Sequence, residues 1–408
     1  MERDFPRDFL AFLRLAGEIA QAQEQSLYLV GGAVRDLLLG RPNLDFDLVV
    51  EGDAPRLARQ LAKASGEKVI THPRFGTAKF SRGELSIDLV TARSESYPSA
   101  GALPEVKPGI IRDDLARRDF SINAMAVNLD PPSFGQLFDP HEGRSDLKQK
   151  LIRILHPRSF IDDATRILRA LRYEQRLGFK LEENTEKLLR QHKSMLNTIS
   201  GDRIRHEVEL ILEEEKPERI LHRAEELGVL QELHPSLKGN GWLAERFRHV
   251  HQLAILPSSP IYLSLLLYHL TEEELESVIA RLNIVGGLAR MLRQMVRLKA
   301  DLPALAVADL SRSGVYRLLR QYTPEAITTC ALACDLPAIR SRLDLYLTDL
   351  RYVKLSLDGE DLKEMGVAPG PRLGRMLKAL LEAKMDSRVS TREEEEALVR
   401  HWIAGREI

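Results

Sequence analysis

Cysteine is nearly absent from this chain: two residues in 408, Cys330 and Cys334. With no other thiol, a zinc site of the usual kind is excluded. Both sit in an apolar, helix-like context that reads as buried, reduced thiols of a cytosolic protein. His249, His251 and His269 offer imidazoles, but no carboxylate is placed as in a metal-phosphohydrolase signature. Charge of one sign is missing as well. The formal net charge is −1, so any nucleic-acid contact must come from local patches and not from a whole-protein basic field. Long apolar runs are lacking: the longest, Ile261–Leu270, contains Ser264 and His269 and is too short to cross a bilayer. The N-terminal MERDFPRDFL carries acids and no apolar core, which argues against a signal peptide. No internal repeat or low-complexity segment stands out. Hydrophobic residues at 44% and charged residues at 29% then predict a soluble, cytoplasmic protein of two to four domains with no membrane partner.

What is present is organised around YLVGGAVRDLLLGRPNLDFDLVV, Tyr28–Val50. An apolar run stops at Gly31-Gly32, a helical pattern follows from Ala33 to Leu39, and Gly40 with Arg41-Pro42-Asn43 supplies a turn. The chain re-enters an apolar run interrupted by Asp45 and Asp47. Residues two apart in a strand face one way, so these carboxylates would repel unless a cation holds them. Oxygen-only ligands suit Mg²⁺. The bare backbone of Gly31-Gly32 at a helix start can approach a polyphosphate, with its N–H groups as donors. Either feature alone is a common turn or a solvated strand end. In this order, with Arg35-Asp36 between them, they make one site for nucleotidyl transfer.

Around this stretch, Asp8–Gln23 and Pro55–Ala64 read as helices, and Lys68–Thr71, Thr77–Ser81 and Leu85–Val90 as strands, which predicts a mixed sheet with helices packed on it. Asp88 lies mid-strand in an apolar context where an unpaired carboxylate is costly, and is the candidate third acid. Ser94–Gly109, rich in Pro, Gly and Ser, predicts a mobile loop. A charged helix over Ile111–Arg118 leads to RRDFSINAMAV, where Arg118, Asp119 and Asn123 bring phosphate-pairing and sugar-binding groups together. His156–Gly178 predicts a single helix, with Ser159 and Asp162 as a capping box and Gly178 closing it. Asp163 and Arg166, three apart, would share a face. A carboxylate beside a guanidinium matches the amine donor and ring-nitrogen acceptor that cytosine and adenine both present, and opposes guanine and uracil. Such a pair selects C and A without a nucleic-acid template.

From residue 141 the pattern is entirely helical. Residues 141–200 hold 13 Lys/Arg against 8 Asp/Glu, a local +5, and Arg281–Lys299 adds Arg281, Arg290, Arg293, Arg297 and Lys299 with no acid among them. Taken alone, such runs are usually solvated helix faces; following a head of the family that the motifs below resemble, they read as phosphate contacts, with Arg290, Arg293, Arg297 and Lys299 as the RNA-binding candidates. Pro369-Gly370-Pro371 opens a further helix, and Glu393–Glu396 begins another.

GGAVRD–LDFDL, followed by RFGTAKF, IDLVTAR, RRDFSINAMA and DDATRILRALR, resembles the bacterial class II tRNA nucleotidyltransferase (CCA-adding) and poly(A) polymerase family from Tyr28 to about Phe179. The resemblance implies an α+β polymerase-β-like nucleotidyltransferase head over 1–140, then an all-α neck (141–200), body (201–300) and tail (301–408). It implies that Asp45 and Asp47 bind Mg²⁺, that Gly31, Gly32 and Arg35 contact the triphosphate, and that Arg118 and Asp119 hold phosphate and ribose. Asp163 and Arg166 match the amino-acid template, with Arg169 beside them. Asp162 stands where the family commonly carries Glu. The expected partners are tRNA, CTP and ATP, with no obligate protein partner implied. Four outcomes are open within the family. The intact Ser94–Gly109 loop argues against CC-only addition, and the lack of an extended basic block after Val69 argues against poly(A) tailing. Full CCA and A-only addition stay open. A non-catalytic RNA-binding protein on a dead head is opposed by the retained Asp45, Asp47 and Asp88. A small-molecule nucleotidyltransferase is opposed by the long basic helical region and by the Asp163/Arg166 pair.

Overall fold

A computed structural model of the chain describes residues 5, 7–82, 85–252 and 258–405; Met1–Asp4 of the N-terminal reading lie outside them. The chain divides into two compact units, 1–232 and 233–408. The expected borders at 140 and 200 fall within the first unit, and that at 300 within the second.

The first unit begins with α1 (Arg7–Gln21), β1 (Ser26–Val30), α2 (Gly32–Leu38), β2 (Asp45–Glu51) and α3 (Ala54–Ser65). Next come β3 (Val69–His72), β4 (Thr77–Arg82), β5 (Leu85–Thr91), β6 (Arg93–Ser96), β7 (Glu105–Pro108), α4 (Ile111–Ala116), β8 (Ala126–Asn128) and β9 (Leu137–Phe138). Seven strands form one mixed sheet in the order β3-β4-β5-β2-β1-β8-β9, with β2 and β5 parallel and the other pairs antiparallel. Alternation along β2 decides what each face carries. Phe46 and Leu48 turn to one side, where Phe9 of α1 meets Phe46 with ring centroids 4.2 Å apart and Phe12 meets Phe80 of β4 at 6.1 Å. Asp45, Asp47 and Val49 turn to the other side. There Val49 joins Val30, Ala126 and Ile111 and Leu115 of α4 in a second apolar cluster, which leaves the carboxylates beside it uncovered. Gly17 lets α1 lie against β8–β9: a Cβ there would stand 1.9 Å from the Leu129 carbonyl oxygen.

Ser94–Gly109 is not a structureless loop. β6 and β7 pair antiparallel, Arg93 with Pro108 through Ser96 with Glu105, and only the tip between them is irregular. The stretch Arg93-Ser94-Glu95-Ser96 alternates along its length as a ribbon strand does, a signal masked by the Pro and Gly of the turn.

The remainder of the first unit is α5 (Gly143–Gln149), β10 (Leu151–Ile152), α6 (Ser159–Asp162), α7 (Thr165–Leu177), β11 (Lys180–Leu181), α8 (Glu183–His192), α9 (Gly201–Leu212), α10 (Pro217–Glu226) and α11 (Leu230–Leu233), at whose end the second unit begins. Two corrections follow. The region is not entirely helical, since β10 and β11 make a two-stranded parallel sheet. The helix expected over His156–Gly178 is broken: Asp163 is extended at φ −139° and ψ 101°, and its Oδ1 accepts from the Thr165 N–H at 3.0 Å and hydroxyl at 2.7 Å. That Asx cap starts α7 afresh and ends α6, so the Ser159/Asp162 capping box does not form. Gly178 does close α7, in the left-handed conformation.

The second unit holds α12 (Gly241–His251), α13 (Ser259–Leu267), α14 (Glu272–Arg281), α15 (Gly286–Asp301), α16 (Arg312–Leu319), α17 (Pro324–Ala333), α18 (Pro337–Thr348), α19 (Gly359–Glu364), α20 (Pro371–Met385) and α21 (Arg392–Ile403). The apolar run of α13 is buried on all sides among α12, α15 and α17, which is why it carries no amphipathic pattern. Cys330 and Cys334 are buried and free, with burial pushing the Cys330 thiol up to about 12. Leu362, Met376, Leu380, Val399 and Trp402 form the core of the last three helices. Among the described residues no helix is long and apolar enough to cross a membrane.

Candidate active site

The uncovered carboxylate face of the sheet borders a cavity of about 500 Å³, within the ~300–1,000 Å³ usual for small-molecule sites. Its wall runs from Gly32, Arg35 and Asp47 through Arg118, Asp119 and Asn123 to Asp163, Arg166 and Arg169. Nine of the candidate residues, taken from stretches more than a hundred positions apart, thus meet at one cavity.

At the sheet end, Asp47 pairs in register with Asp88 of β5. Although its surface is open to the cavity, desolvation by the atoms packed around it raises the Asp47 carboxyl above its ordinary value, Arg118 opposes the rise, and Asp88, Asp45 and Asp114 add to it. The donors are all oxygen and crowded with like charge, and a divalent cation would relieve that. Among the described residues no group of three His, Cys, Asp or Glu could by itself hold a metal ion. Two carboxylates with water and substrate phosphate completing the shell is an arrangement compatible with a hard divalent cation. Asp88 corrects its own rationale: it is neither enclosed nor unpaired, but 46% exposed and 3.6 Å from the Lys79 ammonium.

Gly31 also works differently from expectation. Its N–H donates to the Met125 carbonyl at 3.2 Å and so is not available to a phosphate. Its φ of +71° and its bareness serve a neighbour: a Cβ would stand 2.5 Å from Nη1 of Arg118. Arg118 is aimed by Asp114, a fully buried carboxylate that also takes Arg117 at 2.7 Å. Asp114 was invisible in the sequence, one acid among several in IRDDLARRD.

Beyond the phosphate end the polar groups form a continuous chain. Arg35 forks onto Asp36 at 2.8 and 2.9 Å and donates through Nη1 to Asn123 Oδ1 at 2.7 Å. Asn123 Nδ2 donates to Asp119 Oδ1 at 3.0 Å, and Asp119 Oδ2 accepts Nε and Nη2 of Arg169 at 3.0 and 2.6 Å. Burial alone would raise the Asp119 carboxyl, but the Arg169 guanidinium, the Asn123 amide and Arg166 hold it below its ordinary value. The Tyr173 ring lies under Arg35 and Arg169, with guanidinium-to-centroid distances of 5.3 and 5.7 Å. Sequence reading had no reason to single out this tyrosine on an amphipathic helix.

Asp163 and Arg166 both face the cavity, although they do not share a helix face. Arg166 is buried and fixed from behind, Nη1 on Ser159 Oγ at 2.8 Å and Nη2 on the Arg117 carbonyl at 2.6 Å. Asp163 Oδ1 takes Thr165 and Arg203, the latter at 2.7 Å. Among the described residues Oδ2 has no protein partner. The other half of the basic prediction scatters. On α15, Arg290 and Arg297 are exposed, while Arg293 is forked onto Glu276. Lys299 donates to the Tyr268 and Leu270 carbonyls at 2.7 and 3.0 Å, capping the end of α13.

Residues 27–153 match the model of the poly A polymerase head domain, and residues 178–239 match that of the probable RNA and SrmB-binding site of polymerase A. An A-adding tRNA nucleotidyltransferase of Halalkalibacterium halodurans is 35% identical over 96% of this chain and 94% of its own. Another, of Geobacter sulfurreducens, is 34% identical over 97% of this chain but only 47% of its own length, so the chain spans about half of that relative. A solved Thermotoga maritima CCA-adding enzyme complexed with tRNA superposes with a TM-score of 0.77 at 33% identity, covering 98% of this chain and 97% of that one. Further matching relatives carry the names CC-adding and CCA-adding.

Proposed function

The chain belongs to the tRNA nucleotidyltransferase and poly(A) polymerase family, and we propose that it adds C and A to the 3′ end of tRNA from CTP and ATP without a template. The observation that carries this reading is the Asp163/Arg166 pair lining one cavity with Asp47, whose neighbour two positions along the same strand face is Asp45. Arg166, immobilised by Ser159 and the Arg117 carbonyl, offers a fixed donor to a ring nitrogen, and Asp163 Oδ2 offers an acceptor to an exocyclic amine. Both groups are set before a nucleotide arrives, so selection needs no reorganisation. Arg118, beside Asp47 at the sheet end, would take the triphosphate, and Asp119 with Asn123 would take the ribose. Asp45 and Asp47 would hold Mg²⁺, which supplies charge neutralisation for the attacking 3′-hydroxyl and the leaving pyrophosphate. The residues otherwise position and neutralise, as phosphoryl-type transfers require.

A-only addition is the second reading, favoured by the A-adding relatives at 34% and 35% identity. The two are separated by extending three tRNA transcripts, ending at the discriminator base, after the first C and after the second C, with Mg²⁺ and CTP, ATP or both. Three nucleotides added to the shortest support CCA addition, and A added to the longest alone supports the A-adding reading. No addition to any of them overturns both.

A further inference from the structure

We infer that Glu95 is a positioning residue for base selection, latching the β6–β7 ribbon so that Tyr97 stands as a wall of the cavity beside Asp163 and Arg166. The inference rests on the function proposed above. Glu95 carries no signature in the sequence, yet its side chain is only 7% exposed and gathers three partners. Oε1 accepts from Arg93 Nε and Nη2 at 3.1 and 2.9 Å and from Arg117 Nη1 at 3.2 Å, and Oε2 accepts from the Tyr97 hydroxyl at 3.1 Å. One carboxylate thus ties two residues of the ribbon to the helix end whose carbonyl fixes Arg166.

The ribbon is seated at a second point. Gly101, at φ +74°, lies so close to Thr198 that a Cβ would stand 2.4 Å from its carbonyl oxygen. Tyr97 falls between the two anchorages and borders the cavity together with Asp163 and Arg166. Burial and the Glu95 charge push its hydroxyl up to about 12, with Arg166 and Asp163 as the next influences, so at neutral pH it is a neutral donor engaged by Glu95.

Arg117 also bonds the buried Asp114, through Nε and Nη2 and not through the Nη1 that meets Glu95. Loss of Glu95 is therefore expected to free the ribbon while leaving α4 and the Arg166 anchor in place. A purely structural role would change yield or thermal stability without touching nucleotide choice. The test is Glu95→Gln in the full chain, with kcat and KM for each of the four nucleoside triphosphates on the tRNA transcript that the wild type extends. The expected result is a KM for CTP or ATP raised about tenfold, kcat within about threefold, and discrimination against UTP and GTP lowered at least tenfold. Tyr97→Phe, which keeps the ring and loses the hydroxyl bond to Glu95, is expected to show the same pattern more weakly. Cleavage by a glutamate-specific protease after Glu105, an exposed residue of β7, should quicken in both variants. If Glu95→Gln folds and keeps wild-type discrimination and KM, the inference is overturned. If Glu95→Gln does not fold, Tyr97→Phe alone decides, and unchanged discrimination there overturns it as well. If the wild type adds no nucleotide at all, it is the proposed function that fails.

Discussion

The arginines of the cavity and those of α15 differ in what holds them. In the first unit Arg35, Arg118, Arg166 and Arg169 are fixed by Asp36, Asp114, Ser159 and Asp119, partners that are buried or nearly so. In the second, Arg290 and Arg297 are exposed, and Arg293 pairs with a Glu276 that is 45% exposed. A guanidinium held in a low-dielectric network acts through its geometry, and salt hardly screens it. One on an open helix acts through the field it adds to its neighbours, which salt weakens. Under the proposed function, the same residue type would serve selection in one place and capture in the other.

The sharpest break of this contrast is at the carboxylates that the cavity arginines face. Asp47→Ala is expected to lower kcat on the order of 10³-fold or more, read by single-turnover extension. Its thermal stability should hold or rise at neutral pH. A carboxyl whose folded pKa is raised opposes folding once ionised, and the variant no longer carries that charge.

Much of this cavity was legible beforehand. The Gly-Gly turn and the alternation at Asp45 and Asp47 are local signals, and the structure keeps both. The partners that aim the arginines were not legible: Asp114 stands at the i,i+3 and i,i+4 spacing to Arg117 and Arg118 that many solvated helix pairs share, and Glu95 and Tyr173 reach Arg117 and Arg35 only through long-range contacts. The break at Asp163 was hidden for a different reason. Apolar periodicity continues across it, and only the competition of an Asx cap with the helix interrupts the backbone. On α15 the reverse holds: the basic run was plain, but its pattern could not show that Lys299 turns inward to cap a neighbouring helix.

A smaller effect distinguishes the Asp119–Arg169 pair, whose carboxylate is buried and whose guanidinium is half-buried. The Asp119 carboxyl is held below its unfolded value, so its contribution is fully present above about pH 4 and is lost as pH falls through the folded pKa. Asp119→Asn should flatten the acid limb of the stability curve below about pH 4 and cost about 2 kcal/mol at neutral pH, measured by denaturant titration. The smallest effects lie on α15. Arg290→Ala with Arg297→Ala should weaken tRNA binding several-fold and reduce the salt slope by about one to two, with stability unchanged. Lys299→Ala should do the opposite, lowering stability by about 1–2 kcal/mol and leaving the salt slope alone.

The most direct test of selection by a fixed pair is Asp163→Asn. Asparagine caps α7 as well as aspartate does, so the fold is kept while a pure acceptor becomes a group that can also donate. Single-nucleotide incorporation from CTP, ATP, UTP and GTP onto tRNA would be compared between the variant and the wild type. The account predicts that the wild type takes only C and A, or A alone, and that the variant loses at least tenfold of its discrimination against U and G. Equal use of all four by the wild type, or unchanged selection in a folded variant, would contradict it.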